Sequence, residues 1–295
     1  MTLHYRIHEV SEYINWVYFF HAWGFQPRYA TIADIHGCDA CRAMWLVRFP
    51  EGERAKASEA MQLFKEANRM LTRLDQDFQT HAVFRLMNAN SEANDIWMEG
   101  TRFPFLRQQT APAGEPYLCL SDFIRPLSSG MTDKIGLFAT SVDAGMETLY
   151  PEDNYRQLLV QTLADRLAEA TAEKLHEEVR KHHWGYAKDE QLTMRELHEE
   201  RFQGIRPAVG YPSLPDQSIN FLIDELLPLS EIGITLSENG AMSPHCSVSG
   251  LMFAHPKAHY FSVGSISEEQ LLDYARRRGI TPDQAKKFLA SLING

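Results

Sequence analysis

Between residues 54 and 76, apolar side chains fall at Ala60, Leu63, Phe64, Ala67, Met70, Leu71 and Leu74, with charged residues between them. Steps of three and four collect these positions into one stripe, so the stretch predicts an amphipathic helix packed on a core. A second helical run covers residues 152–183, with Leu159, Leu163, Ala168, Ala172, Leu175 and Val179 as its buried stripe. Another face of that run carries Asp165, Glu169, Glu173 and Glu177, four residues apart. Like charges at this spacing cost a helix about 0.2–0.5 kcal/mol per pair. Neighbouring Arg166, Lys174 and Arg180 offset that cost, and a solvated face is the expectation for Glu173 and Glu177. From about 80 to 142 the period shortens to two. Strands are predicted at 81–87, 93–98, 117–120 and 134–141, and connections as short as 88–92 favour antiparallel hairpins. Two further strands are expected within 231–266. Two closing helices each open on a capping-box pattern, Ser267 to Gln270 and Thr281 to Gln284, the second with Pro282 in its first turn.

With no repeat, low-complexity tract or linker, these elements predict one α+β domain over residues 1–295. Its twisted, mainly antiparallel sheet is flanked by helices. A hydrophobic content of 44% with 23% charged residues supplies an ample core. The net charge of −10 argues against a nucleic-acid partner, which favours a basic patch. Residues 1–10 lack the apolar run of a secretory signal, and the aromatic run from Trp16 to Trp23 is too short to span a bilayer. A cytoplasmic protein without a membrane partner is expected.

Cys38 and Cys41 form a C-x-x-C, whereas Cys119 and Cys246 are isolated. Without a second pair or a His pair at ligand spacing, the expectation is structural or incidental thiols. The aromatic segment 8–25 must bury its rings, either in a core or under a ligand.

The most informative stretch is Gly204-Ile205-Arg206-Pro207-Ala208-Val209-Gly210-Tyr211-Pro212. Its two prolines fix φ and remove donors, so it is neither helix nor central strand. Gly210 permits close approach of another group. Arg206 is shaped to grip a carboxylate through two hydrogen bonds, and unpaired loop backbone is free for a ligand. By itself this pattern points to a small-molecule site, with a surface turn as the plainer alternative.

The stretch resembles the RPAxGYP signature of the activation domain of cobalamin-dependent methionine synthase. Ile14-Asn15-Trp16 with Phe19, Phe20 and Trp23 is similar to that family's N-terminal I-D-W-x-P-F-F-x-x-W. Leu106 to Gln109, Leu120 to Phe123, Ala164 to Ala170 and Ser247 to Gly250 resemble its LRQQ, LADF, ADRLAEA and SVSG segments, in the same order. Two positions depart from the pattern. Asn15 replaces an aspartate, which removes a charge but keeps hydrogen-bonding capacity. Gln217 stands where the family carries a histidine shortly past its second proline, and it cannot titrate as histidine would. Asp34-Ile35-His36 begins like the D-x-H-x-x-G of cobalamin modules, but Asp39 takes the place of the glycine. His36 is therefore not expected to ligate cobalt, and any corrin comes from another polypeptide.

The resemblance implies an activation subunit, acting as a methyltransferase component, that binds S-adenosylmethionine. It would present the methyl group to cob(II)alamin held by a separate cobalamin-binding subunit, with flavodoxin or a similar electron donor, in methionine biosynthesis. It implies that Arg206 takes the methionine carboxylate, that Asn15 and Glu169 meet polar and cationic groups, and that Ala208, Gly210, Tyr260 and Phe261 line the rest. Tyr211 would approach the corrin. No acid or base residue is implied, and no homocysteine, folate or cobalamin module is visible. A non-catalytic partner that caps a corrinoid protein is the alternative. A free-standing methyltransferase on a small substrate ranks last, for want of a glycine-rich nucleotide loop.

Overall fold

The structure, a computed structural model, describes residues 1–293. Its strands are β1 (Thr2–Arg6), β2 (Gln79–Glu92), β3 (Asp95–Met98), β4 (Thr101–Pro104), β5 (Asp133–Val142), β6 (Thr235–Leu236), β7 (Met242–Ser243) and β8 (Ser247–Met252). One antiparallel sheet runs β4-β3-β2-β5-β8, and β6 pairs with β7 apart from it. The long β2 organises the sheet. Its start pairs with β1, its end with β3, and its other edge, from Thr80 to Ala89, with β5. Period two separates its side chains cleanly: Ala82 and Phe84 enter one core, Val83, Met87 and Ala89 the other.

The helices are α1 (Ile7–Val10), α2 (Trp16–Ala22), α3 (Asp39–Val47), α4 (Arg54–Asp77), α5 (Asn154–Glu178), α6 (Met194–His198), α7 (Ile219–Leu226), α8 (Glu268–Arg278), α9 (Pro282–Phe288) and α10 (Ala290–Ile293). The N-terminal helices, α4 and α5 cover one face of the sheet, and α7 covers the other. Small residues on α5 let it lie close to the strands. Thr140 donates to the Ala168 carbonyl at 2.9 Å, and Thr171 to the Thr80 hydroxyl at 2.8 Å. A smaller C-terminal core joins Leu106 and Val263 to α8 and α9. No helix among the described residues is long and apolar enough to cross a membrane.

The predicted α+β domain with its antiparallel sheet is present, and helix 54–76 and most of helix 152–183 fall where the periodicity placed them. Four details differ. The hairpin turns at Ala93, which has a φ of 52°, so β2 runs through residues 88–92 instead of ending before them. Residues 117–120 are not a strand, because Leu118 bonds to both the backbone and the side chain of Gln108 and has no ladder partner. Tyr260 lies in irregular chain, beyond the end of β8. Finally, Ser267 caps α8, but Gln270 turns away to the Arg107 carbonyl and Gln109 takes the Ser267 amide. The Thr281 box is reciprocal.

Candidate functional site

Residues 205–209 lie along the free edge of β8. Ile205 and Phe253 exchange backbone hydrogen bonds at 3.0 and 2.9 Å, Leu251 donates to Pro207, and Val209 donates to Ser249. Pro207 has no N–H to return to Leu251, so the segment makes isolated bridges and not a full strand. Its backbone is therefore largely used, contrary to the expectation that it stays free for a ligand. The contact is close enough to require glycine. A Cβ on Gly250 would stand 2.2 Å from the Pro207 carbonyl oxygen, and one on Gly204 would stand 2.1 Å from that of Phe253. Gly210 serves differently from the prediction. No atom lies near its Cβ position; its φ of 90° is what calls for glycine, where the chain turns away from the sheet.

That turn opens a cleft of about 770 Å³ between the loop, α5, the N-terminal segment and the chain around Tyr260. Asn15, Glu169, Arg206, Ala208, Tyr211, Tyr260 and Phe261 all line it, and Gly210 does not. Asn15 is the N-cap of α2: its Oδ1 accepts from the Val17 amide at 3.1 Å, which leaves the side-chain NH2 as the spare group. The Tyr260 phenol accepts the Arg206 amide at 2.9 Å. The chain around Tyr260 and Phe261 is held by Gln108, which donates to the Ser262 carbonyl at 2.8 Å. That bond gives one residue of the LRQQ segment a positioning role.

The acidic face of α5 is a seam and not a solvated ridge. Tyr211 donates to Glu169 at 3.0 Å, Arg206 to Glu173 at 2.8 Å, and Tyr13 to Glu177 at 2.7 Å. Arg166 and Lys181 add second contacts to Glu169 and Glu177 at 2.8 and 3.1 Å. Hydrogen bonds to charged groups contribute about 1.5–3 kcal/mol each when buried, against a few tenths for like-charge repulsion at i+4. The bonds win, and the expectation of solvated Glu173 and Glu177 is corrected. Periodicity places these carboxylates on one face but cannot show that the N-terminal segment and the signature loop fold across it.

Arg206 is the centre of this seam. Its side chain also donates to the Ala172 carbonyl at 3.0 Å and is 13% exposed. Burial by itself would lower its pKa, but Glu173, Tyr260 and Glu169 hold it above the ordinary value. Glu173 gives only one oxygen to this pair; its Oε1 is buried with no hydrogen-bond partner. Burial pushes the Tyr211 phenol up to about 12, and Glu169 reinforces the shift. Burial also raises Glu200, with Glu173 adding to the effect. The lining carboxylates Glu169, Glu173 and Glu200 outnumber the lining guanidiniums Arg166 and Arg206. Tyr18, His198 and Glu200 were not foreseen at the site. No motif marks Glu200, which reaches it through a left-handed backbone with a φ of 56°.

A cleft with a buried amino-acid-like charge pair, an excess of acid and several aromatic walls defines a small-molecule-binding domain suited to a cationic, amino-acid-bearing ligand. The comparisons with known proteins agree in kind. The model of the family "Vitamin B12 dependent methionine synthase, activation domain" matches residues 6–279, and the chain belongs to that family. A solved structure of the MetH reactivation domain bound to AdoHcy superposes with a TM-score of 0.88 at 36% identity, covering 100% of this chain and 90% of that one.

Proposed function

We propose that the cleft binds S-adenosylmethionine and presents its methyl group to cob(II)alamin held by a separate cobalamin-binding subunit of methionine synthase. The observation that carries the reading is the Arg206–Glu173 pair, whose second carboxylate oxygen lacks a donor. An amino acid's ammonium supplies such a donor, and its carboxylate finds a partner in the guanidinium. The excess of acid favours a ligand with a net positive charge, as a sulfonium amino acid has. Family membership and the AdoHcy-bound relative support the same ligand.

When bound, the two cofactors supply the chemistry: the sulfonium methyl and one electron, from flavodoxin or a similar donor, return the oxidised cobalt to its methylated state. The chain's own part is binding and orientation. Arg206 and Glu173 fix the amino-acid end. The Asn15 amide and Glu169 meet polar and cationic groups, with Ala208, Tyr260 and Phe261 as walls. Half-exposed Tyr211, at the outer end of the seam, faces the corrin. In this reading residues 1–295 act as the activation domain, in the cytoplasm, with the corrin brought by a partner.

Calorimetric titration of the chain with S-adenosylmethionine tests this. Saturable one-to-one binding is expected, weakened at least about 100-fold in Arg206→Ala, the loss of some 3 kcal/mol that stranding a buried charge produces. Absence of binding, with and without a corrinoid protein, would overturn the reading and leave the non-catalytic capping partner.

A further inference from the structure

We propose that His36, Cys38 and Cys41 form a binding site for one thiophilic divalent cation, zinc being the natural occupant. One ligand atom from each residue lies within 4.8 Å of the other two. Zinc holds sulfur at about 2.3 Å, so tetrahedral ligands sit roughly 3.8 Å apart. The three atoms therefore need to draw in by about an ångström at most. The C-x-x-C spacing taken alone lacked further ligands. His36, two residues before the first thiol, supplies the third.

The local fold presents these groups together. An extended link after the 3-10 segment Pro27–Asp34 carries His36, and the chain then enters α3 with Cys38 as its N-cap. Cys38 Sγ accepts the Cys41 amide at 3.3 Å, the kind of second contact that orients a metal-bound thiolate. Helix geometry turns Cys41 back toward the same end. The cysteines are partly exposed and His36 is exposed, and a metal can reach all three. Three protein ligands leave a fourth position for water or a donor from another molecule.

A second group, Asp165, His245 and Cys246, does not share these features. Cys246 is buried, and burial followed by Asp165 and Glu147 holds its thiol protonated.

Cobalt(II) titration of the full chain, kept reduced by a phosphine, tests the site. One equivalent should bind with a thiolate-to-cobalt charge-transfer band that stoichiometric zinc displaces. Cys38→Ser and Cys41→Ser should each abolish the band, and His36→Ala should weaken binding at least about tenfold. Serine is itself a good N-cap, so Cys38→Ser keeps α3 intact, and an unchanged metal-free unfolding midpoint verifies this. No band in the native chain, or binding unaltered by either serine variant or by His36→Ala, would overturn the proposal. So would a protein isolated two hydrogens lighter that takes no cobalt even after reduction, since the pair's native role is then that of a disulfide. None of these outcomes depends on what the cleft binds.

Discussion

Two buried polar networks lie on opposite sides of the sheet, and they are completed differently. On the C-terminal side, Asp216 is 2% exposed and accepts from the Tyr274 phenol at 2.6 Å and the Ser218 amide at 2.8 Å. Arg278 binds the Ser218 carbonyl, and Arg277 reaches Asp95 at 2.5 Å. These bonds staple α8 to the sheet and the signature-loop exit. On the cleft side, Glu173 Oε1, both ring nitrogens of His176 and Arg180 Nη1 are buried without partners, whereas Arg278 Nε and Gln270 Oε1 are the only such atoms beside α8 among the described residues. Buried polar atoms that go unpaired cost about 1–3 kcal/mol each. A fold keeps them where something else is gained. The first network holds the structure together; in the second only Glu173 lines the cleft, where, in the proposed reading, the ligand's ammonium meets its free oxygen.

The sharpest way to break this contrast is to remove one carboxylate from the closed network. Asp216→Ala strands the Tyr274 phenol and Arg278, and is expected to lower unfolding free energy by about 3–5 kcal/mol. Denaturant titration measures the loss, and the folded fraction should keep wild-type affinity for S-adenosylmethionine. Arg206→Ala should do the reverse in emphasis, with ligand affinity reduced at least about 100-fold and stability reduced by less, because Glu173 lies nearer solvent.

A pH experiment reports on the open network next. Burial, then Arg180 and Arg206, hold His176 well below its ordinary value of 6.5. The folded chain therefore keeps it neutral while the unfolded chain takes up a proton below that pH. Stability contributed this way is intact above about 6.5 and falls as pH drops, by up to about 1.4 kcal/mol per unit. Between neutrality and pH 5 the loss approaches about 2 kcal/mol, and His176→Leu should flatten it. Urea unfolding of both proteins at the two pH values decides the matter; equal slopes would show that His176 is not the group responsible.

Two smaller effects sharpen the cleft itself. Asn15→Asp retains the cap of α2 and adds a charge beside the cationic ligand, so affinity should rise by about three- to tenfold, roughly 1 kcal/mol, at low salt. Tyr211→Phe removes one bond to Glu169 and should cost less than about 1 kcal/mol of stability. Its ligand titration should be nearly unchanged. Its effect should appear only when the cobalamin-binding partner is added.

Much of this molecule is set by local pattern. Periodicity placed α4 and α5 because an apolar stripe can be buried in only one way on a helix. Alternation placed the middle of β2 and β5, whose two faces meet two different cores. Proline spacing ruled out helix and central strand for residues 204–212, and family resemblance named seven residues that the fold does bring to one cleft. Other features depended on contacts between distant parts of the chain. The face of α5 bearing Glu173 and Glu177 reads as solvated until Tyr13 and Arg206, far away in sequence, fold across it. The loop's backbone reads as free until β8 takes it up, and Gly210 reads as a point of approach until its backbone angle is seen. Residues 117–120 read as a strand because apolar alternation cannot show that the Gln108 side chain replaces a neighbouring strand. Local pattern decides which surfaces must be hidden; only tertiary structure decides which distant groups hide them.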